Sequence, residues 1–410
     1  MNDVDVIIVG GGIGGLANAL ALALAGQRVR VLERSSEFTE VGAGLQMAPN
    51  ATRILRQWGL LDQVTEAGVS PRRLVFRDAV DGSVLTSAPL GDEFTARYQA
   101  PYVVIHRSDL LTILFEACRD AGVDLVPDCA VTDVTVYPGH VEVATSAGPQ
   151  RAQAAVAADG LRSALRRKFS DDEPVCSGYV AYRGAFPVAQ LDRELESGQL
   201  EEVVVYIGPG RHLVQYPLRR GEIFNTVAVF ASPAYRRGEA DWGGPDELDE
   251  AFGGSCEAVV RGLRSLWRDR RWPMFDRLPM NRWVDGRLAL TGDAAHPMLQ
   301  YLAQGACQAL QDGSALAQSL ATARENHSDV ESALAAYQQQ RIGPTAQVQR
   351  QARVWGDLWH ADGLLESLRD VYLRDRDPAD QRFVAPIYSQ PPATESKHVG
   401  RNLAGSTGNR

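Results

Sequence analysis

The chain has 410 residues, 45% of them hydrophobic and 23% charged, and a formal net charge of −9. That length and balance suit a globular protein with a large core, in two domains, and exclude wholesale disorder. The negative charge, only two lysines (Lys168 and Lys397) and the lack of a basic run interleaved with aromatics exclude a nucleic-acid partner.

Val4 to Val9 is a short β-branched run ended by glycines, the pattern of a buried parallel strand. No basic segment precedes it, and it is too short for a signal or a membrane helix, so a soluble cytoplasmic protein without a membrane span is expected. Gly10-Gly11-Gly12-Ile13-Gly14-Gly15 follows, then a helical run from Leu16 to Ala25, closed by Gly26. Arg28 to Leu32 is a second strand, and Glu33 stands at its end. This is a complete strand–helix–strand unit of the dinucleotide-binding kind. In it Gly10 permits the tight turn, Gly12 lets a pyrophosphate approach, Gly15 allows close helix packing, and Glu33 accepts bonds from a ribose hydroxyl. An acid at that strand end favours FAD or NAD over NADP.

A glycine loop, Val41 to Asn50, leads to a helix expected over Thr52 to Trp58. Leu74 to Thr86, with Asp81-Gly82 between two runs, has the form of a hairpin. Tyr102 to Ile105 is a further strand, and Ser108 is expected to cap the helix that runs to Ala121. Arg107, just ahead of that helix, is placed to meet a phosphate or to be a solvated surface arginine. Val131 to Ala144 alternates as two strands, and the small residues Ala154 to Ala158 run into Asp159-Gly160, as in a buried strand that stops at a ligand or a boundary.

From Tyr179 the pattern changes, because strands now follow one another without intervening helices: Tyr179 to Phe186, Val203 to Ile207, Arg211 to Leu218 and Phe224 to Ala231. That predicts an antiparallel sheet inserted into the first domain. On the third of these strands His212, Val214 and Tyr216 share one face, since side chains alternate with period two. A helix is expected over Asp246 to Leu266, a connection over Trp267 to Pro279, and two helices over Glu331 to Arg341 and Pro344 to Trp359. Between them Arg287 to Thr291 is a strand, and Gly292-Asp293-Ala294-Ala295-His296-Pro297 through Gly305 is a loop before a helix. Backbone N–H groups and the helix dipole at such a junction suit an anionic ligand, and Gly305 lets a planar ligand come close. The five cysteines, Cys118, Cys129, Cys176, Cys256 and Cys307, are scattered without Cys-x-x-Cys spacing, which proposes neither disulfides nor a metal site.

Three segments stand in a telling order: Gly10 to Gly15 with Glu33, Asp159-Gly160 with Ser163 and Arg166, and Gly292-Asp293 with His296-Pro297. Together they resemble the single-component FAD-dependent aromatic hydroxylases of the p-hydroxybenzoate hydroxylase fold, over residues 3 to about 375. The resemblance implies an α/β architecture: a Rossmann-like FAD-binding domain, an inserted antiparallel β-sheet substrate domain and C-terminal helices. The FAD-binding parts are then 1–75, 101–175 and 281–325; the substrate domain comprises a hairpin at 76–100 and the sheet at 176–280. C-terminal helices fill 326–388, and 389–410 is a disordered tail rich in Pro, Ser and Gly.

By position, the resemblance implies that Gly10, Gly12, Gly15, Glu33 and Arg34 hold the ADP half of FAD, and that Arg107 contacts the flavin side chain. Asp159 belongs to the segment linked to both nucleotides, Gly292 and Asp293 to the ribityl site, and Pro297 to the reactive edge of the ring. Gly305 and Ala306 point N–H groups at the flavin edge that becomes anionic on reduction. The loop departs from the common His-Pro-x-x-Pro in having Gln300 at the second proline, and Gln311 stands where relatives often have Glu. Gln300 with His212 and Tyr216, together with Tyr179 to Gly184 and Trp242 to Pro245, is similar to the 3-hydroxybenzoate 6-hydroxylases.

That likeness implies NADH as reductant, O2 added at the flavin C4a to give a hydroperoxide, and oxygen transfer to a phenolic ring, with 2,5-dihydroxybenzoate (gentisate) as product. His212 is then the base for the phenol, Gln300 orients the hydroxyl, and Tyr216 bonds the carboxylate or another ring substituent. His106 and His296 are expected to be structural. Relatives are often dimers, so a homodimer is expected. The alternatives are a salicylate-type hydroxylase, a tailoring enzyme for a larger phenol, and a regulatory FAD-binding protein; the lack of a Trp-x-Trp-x-Ile-Pro segment disfavours a halogenase.

Overall fold

The computed structural model describes residues 4–39, 42–191 and 198–390. The expected tail beyond Ser389 falls, from residue 391, outside them. The chain builds two large sheets. In the first, Val4–Val9 lies parallel to Val29–Leu32 on one side and to Gln150–Ala157 on the other. Leu288–Leu290 and Asp124–Val126 extend it in parallel, and the hairpin Val131–Tyr137 and His140–Thr145 joins it through Gln150–Ala157. Ile7 and Ile8, on opposite faces of the sheet, are both buried, as a central parallel strand requires. The helix Ile13–Leu24 covers this sheet and packs against the later helix Gly305–Glu325.

The second sheet has the order Trp272–Asp276, Val175–Pro187, Ile223–Ala231, Arg211–Leu218, Glu202–Gly208, Arg73–Asp78, Val84–Pro89. Its pairings are antiparallel except that Glu202–Gly208 runs parallel to Arg73–Asp78, which joins the early hairpin to the inserted strands. The two faces bury against different partners. Leu213, Tyr206 and Phe230 pack on the helices Pro245–Phe252 and Glu257–Gly262, whereas Val214 and Tyr216 join the main core toward the first sheet. The alternation read from the sequence thus decides which face looks toward the glycine loop.

Several expectations need correction. The helix over Thr52 to Trp58 begins earlier, as Pro49–Gln57, because Pro49 suits a first helical turn. The helix after Ile105 is capped by His106, whose ring accepts from the Ser108 N–H, so Ser108 is not the cap. The single helix over Asp246 to Leu266 is two short helices, broken at Gly253-Gly254. The connection from Trp267 contains the edge strand Trp272–Asp276. Conversely, the two helices divided at Pro344 are one, Val330–Trp359. Packing of this helix on Gly305–Glu325 outweighs the missing proline N–H, and the Thr345 hydroxyl donates to the Arg341 carbonyl at 2.8 Å.

Candidate active site

A cavity of about 630 Å³ opens between the sheets. One part of its wall is the glycine loop. Gly10 has φ +105°, and a Cβ there would stand 2.6 Å from the Ala158 carbonyl oxygen; a Cβ on Gly15 would overlap the Gly10 carbonyl oxygen. These two glycines therefore let the loop, the helix behind it and the Ala158 strand end pack closely, as their spacing predicts. Gly10 and Gly12 line the cavity, while Gly15 lies behind them. Glu33 also lines it, its carboxylate accepting from Gly11 N–H at 2.6 Å and Ser35 N–H at 2.9 Å. Arg34 stands beside it.

Arg107 and Asp159 enter the same cavity. The Arg107 stem fills the space beside Gly42, where a Cβ would lie 2.8 Å from it. Asp159 accepts from the Ala164 N–H at 3.0 Å through Oδ2, and its buried Oδ1 has no hydrogen-bond partner among the described residues. An orphaned buried carboxylate oxygen is costly and marks a place where a ligand donor belongs.

The loop after Leu288–Leu290 closes the other side. Gly292, Asp293, Gln300, Gly305 and Ala306 line the cavity, and the first N–H groups of the 21-residue helix Gly305–Glu325 stand at its wall. Asp312, on that helix, anchors the loop from behind. It accepts from Gly292 N–H at 2.9 Å and the Thr291 hydroxyl at 3.2 Å, and contacts His296 Nε2 at 2.6 Å and Arg341 at 2.8 Å. Burial pushes the Asp312 carboxyl up, but His296 and Arg341 outweigh it and hold the group well below the usual range. Gln311 accepts from Asn50 at 3.0 Å, joining the helix to Pro49–Gln57.

The second sheet supplies Arg183, Val214, Tyr216 and Val227 to the wall. Tyr216 rests on Gly44, where any Cβ would overlap its ring, and burial raises its phenol well above the usual value. Arg183 Nη2 donates to Gln300 Oε1 at 3.3 Å, linking sheet and loop. Arg183 lies in the segment Tyr179 to Gly184 that carries part of the resemblance, and the tertiary structure places it in the cavity wall.

Besides Gly15, two of the residues singled out from the sequence do not line the cavity. Pro297 is buried beneath the loop, its carbonyl accepting from Gln349 at 3.0 Å, because the chain turns inward between His296 and Met298. His212 is 1% exposed, and its Nδ1 lies 2.7 Å from His360 Nε2 at the end of Val330–Trp359. It also packs against Tyr301 and Trp359. Burial and His360 together lower its pKa well below the usual histidine value, so the imidazole is neutral. The partner His360 carries no motif and was not legible in the sequence.

Comparisons with known proteins agree with this geometry. The FAD binding domain family matches residues 3–352. A 3-hydroxybenzoate 6-hydroxylase of Polaromonas naphthalenivorans is 36% identical over 93% of this chain and 94% of its own. A 3-amino-4-hydroxybenzoate 2-monooxygenase of Streptomyces cremeus is also 36% identical, over 92% and 93%. Among solved structures, Klebsiella pneumoniae HpxO complexed with FAD and uric acid superposes with a TM-score of 0.81 at 25% identity, over 94% of this chain and 96% of its own. The glycine cradle, Glu33, the orphaned Asp159 oxygen and the N-terminus of Gly305–Glu325, gathered around one cavity, fit such a cofactor. The chain belongs to the FAD binding domain family and is a flavin-dependent aromatic monooxygenase.

Proposed function

We propose that the enzyme uses NADH and O2 to hydroxylate a phenolic aromatic acid, 3-hydroxybenzoate, at C6. That carbon is para to the hydroxyl, so the product is 2,5-dihydroxybenzoate. The observation that carries the reading is the meeting, in one cavity, of the glycine-loop residues with Tyr216 and Gln300 from the sheet and the facing loop. The 36% identity to a 3-hydroxybenzoate 6-hydroxylase over nearly the whole chain supports it.

Bound FAD supplies electron transfer from NADH and the activation of O2. This chain's residues hold it and orient the substrate. Gly10, Gly12, Glu33 and Arg34 bind its nucleotide half, and Arg107, Asp159 and Asp293 its linking chain. The N–H groups of Gly305 and Ala306 stabilise negative charge at the ring edge. Gln300 orients the phenol hydroxyl, and Tyr216 bonds the substrate from the opposite wall. His212 takes the phenol proton at Nε2, the edge that His360 leaves unengaged. That role requires its ring to turn past Val214 toward the cavity on substrate binding, and an anionic ligand nearby would raise its basicity. A phenolate is a far stronger nucleophile than a phenol, and a well-placed base is worth on the order of 10²–10⁴ in rate.

A second reading is favoured by the equal identity of the Streptomyces cremeus enzyme: hydroxylation of an amino-hydroxybenzoate. The deciding experiment is NADH oxidation by the purified protein against a panel of hydroxybenzoates and 3-amino-4-hydroxybenzoate, with products separated by chromatography. Strong stimulation by 3-hydroxybenzoate with 2,5-dihydroxybenzoate as product is the expected result. Stimulation by 3-amino-4-hydroxybenzoate alone selects the second reading, and stimulation by none of them refutes both.

A further inference from the structure

We propose that the outward face of the helix Gly363–Asp375 is the surface through which two copies of this chain pair, the two helices lying antiparallel about a two-fold axis at Leu368.

A helix on the surface of a globular protein turns its apolar stripe to the core and its polar side to water. This helix does the reverse. Its buried residues are Arg369 and Asp370, joined to each other at 2.8 Å. Arg369 Nη1 also donates to the carbonyls of Trp359 at 2.9 Å and Leu358 at 3.3 Å, a polar contact that holds the helix against the end of Val330–Trp359. Leu364, Leu365, Leu368, Val371 and Tyr372 face outward, Leu364 being 76% and Leu368 59% exposed. Phe383, half-exposed beside Tyr372 at 6.4 Å between ring centres, extends the patch. These side chains together present on the order of 700 Å², close to the ~800 Å² that one partner gives to a standard interface. A single exposed leucine needs no explanation, but a contiguous apolar patch of this size marks an interaction surface. None of these residues lines the cavity.

The order of side chains along the face points to a second copy as the occupant. In an antiparallel pair with its axis at Leu368, residues equally far to either side of that position oppose each other. Leu364 then meets Tyr372 of the second copy, Leu365 meets Val371, and Leu368 meets its own equivalent. Every exposed apolar residue of the helix thereby finds an apolar counterpart, as an isologous two-fold contact requires. Just beyond them Asp362 meets Arg374, both exposed, so opposite charges close each end. The same arrangement sets the N-terminus of one helix beside the C-terminus of the other, where their dipoles attract. The chain's own end is ill suited to cover the patch, because Val399 and Leu403 are the only large aliphatic or aromatic residues in 391–410. An anionic lipid surface would call for a basic rim, whereas Asp362, Asp375 and Asp377 stand exposed around this one.

Sedimentation equilibrium of the full FAD-loaded chain over a range of concentrations tests this, with bound flavin and far-ultraviolet circular dichroism recorded for each protein. The wild type is expected at twice the 44.6 kDa chain mass. Leu368→Asp sets two carboxylates face to face at the axis and should raise the dimer dissociation constant by on the order of 100-fold or more, with flavin content and dichroism unchanged. Asp362→Arg should weaken pairing by on the order of 10-fold, and Asp362→Arg with Arg374→Asp in one chain should restore it. A dimer that Leu368→Asp leaves intact places the interface elsewhere, and a charge exchange that fails to restore pairing excludes the antiparallel register; either overturns the proposal. So does a wild type that stays monomeric at every concentration. In that case co-sedimentation with vesicles of phosphatidylcholine and phosphatidylglycerol would assign the face to a lipid surface, and its absence to a different protein.

Discussion

His212 and Asp293 carry the sharpest expectations at the scale of single residues. If His212 accepts the phenol proton, His212→Ala keeps the yellow holoenzyme but slows hydroxylation by on the order of 10²-fold or more and diverts reducing equivalents to hydrogen peroxide. Rapid-quench product formation and peroxide assays check this, and unchanged hydroxylation removes His212 from the base role. The substitution also removes the hydrogen bond to His360, so the variant's melting temperature should be recorded alongside. Asp293 is exposed in the cavity wall. Asp293→Ala should therefore weaken FAD retention without unfolding the chain, read as the flavin-to-protein absorbance ratio after gel filtration. An Asp293→Ala enzyme with full flavin content would remove that residue from the cofactor site.

At the scale of elements, the loop 292–305 owes its shape to one carboxylate on the helix behind it. Asp312 is fully buried and gathers the loop's first N–H, the Thr291 hydroxyl, His296 and Arg341. Removing it leaves Arg341 buried and unpaired, so Asp312→Ala should destabilise the protein by about 3–5 kcal/mol, in the range measured for broken buried pairs. Because the same residue positions Gly292, FAD should dissociate at lower denaturant than the global transition. Coincident flavin release and unfolding, with a loss under about 1 kcal/mol, would contradict the anchoring role. His296, next to the flavin loop in sequence, points to Asp312 rather than to the cavity, which is the structural role expected of it.

For the whole molecule, two imidazoles buried at the contact between the second sheet and the C-terminal helices make stability depend on pH. Burial lowers His360 to about 3, with Arg369 adding to the effect, and lowers His212 well below its ordinary value. In the unfolded chain both titrate near 6.5, so between that value and about 3 the unfolded state binds more protons than the folded one. Stability is then full above 6.5 and falls as pH drops through this window, with a slope of up to about 1.4 kcal/mol per pH unit for each group. Denaturant midpoints measured from pH 7.5 to 4.5 should fall, and His360→Phe should flatten part of the slope. A variant whose slope matches the wild type would exclude His360 as a source.

The sequence by itself determined the elements whose cause is local. Gly10, Gly12, Gly15 and Glu33 lie on one strand–helix–strand unit, and their spacing alone forces the close-packed loop that receives a dinucleotide. Period-two alternation likewise sorted Val214 and Tyr216 from Leu213 before any packing was known. The tertiary structure decided what depends on partners distant in the chain. Packing carried one helix through Pro344, and His360 drew His212 away from the cavity wall across 148 residues. Arg183 joined the cavity wall only when folding set it beside Gln300, 117 residues away. Local spacing encodes backbone geometry, but the partner of a buried polar group is set by which surfaces meet, and that is a property of the folded whole.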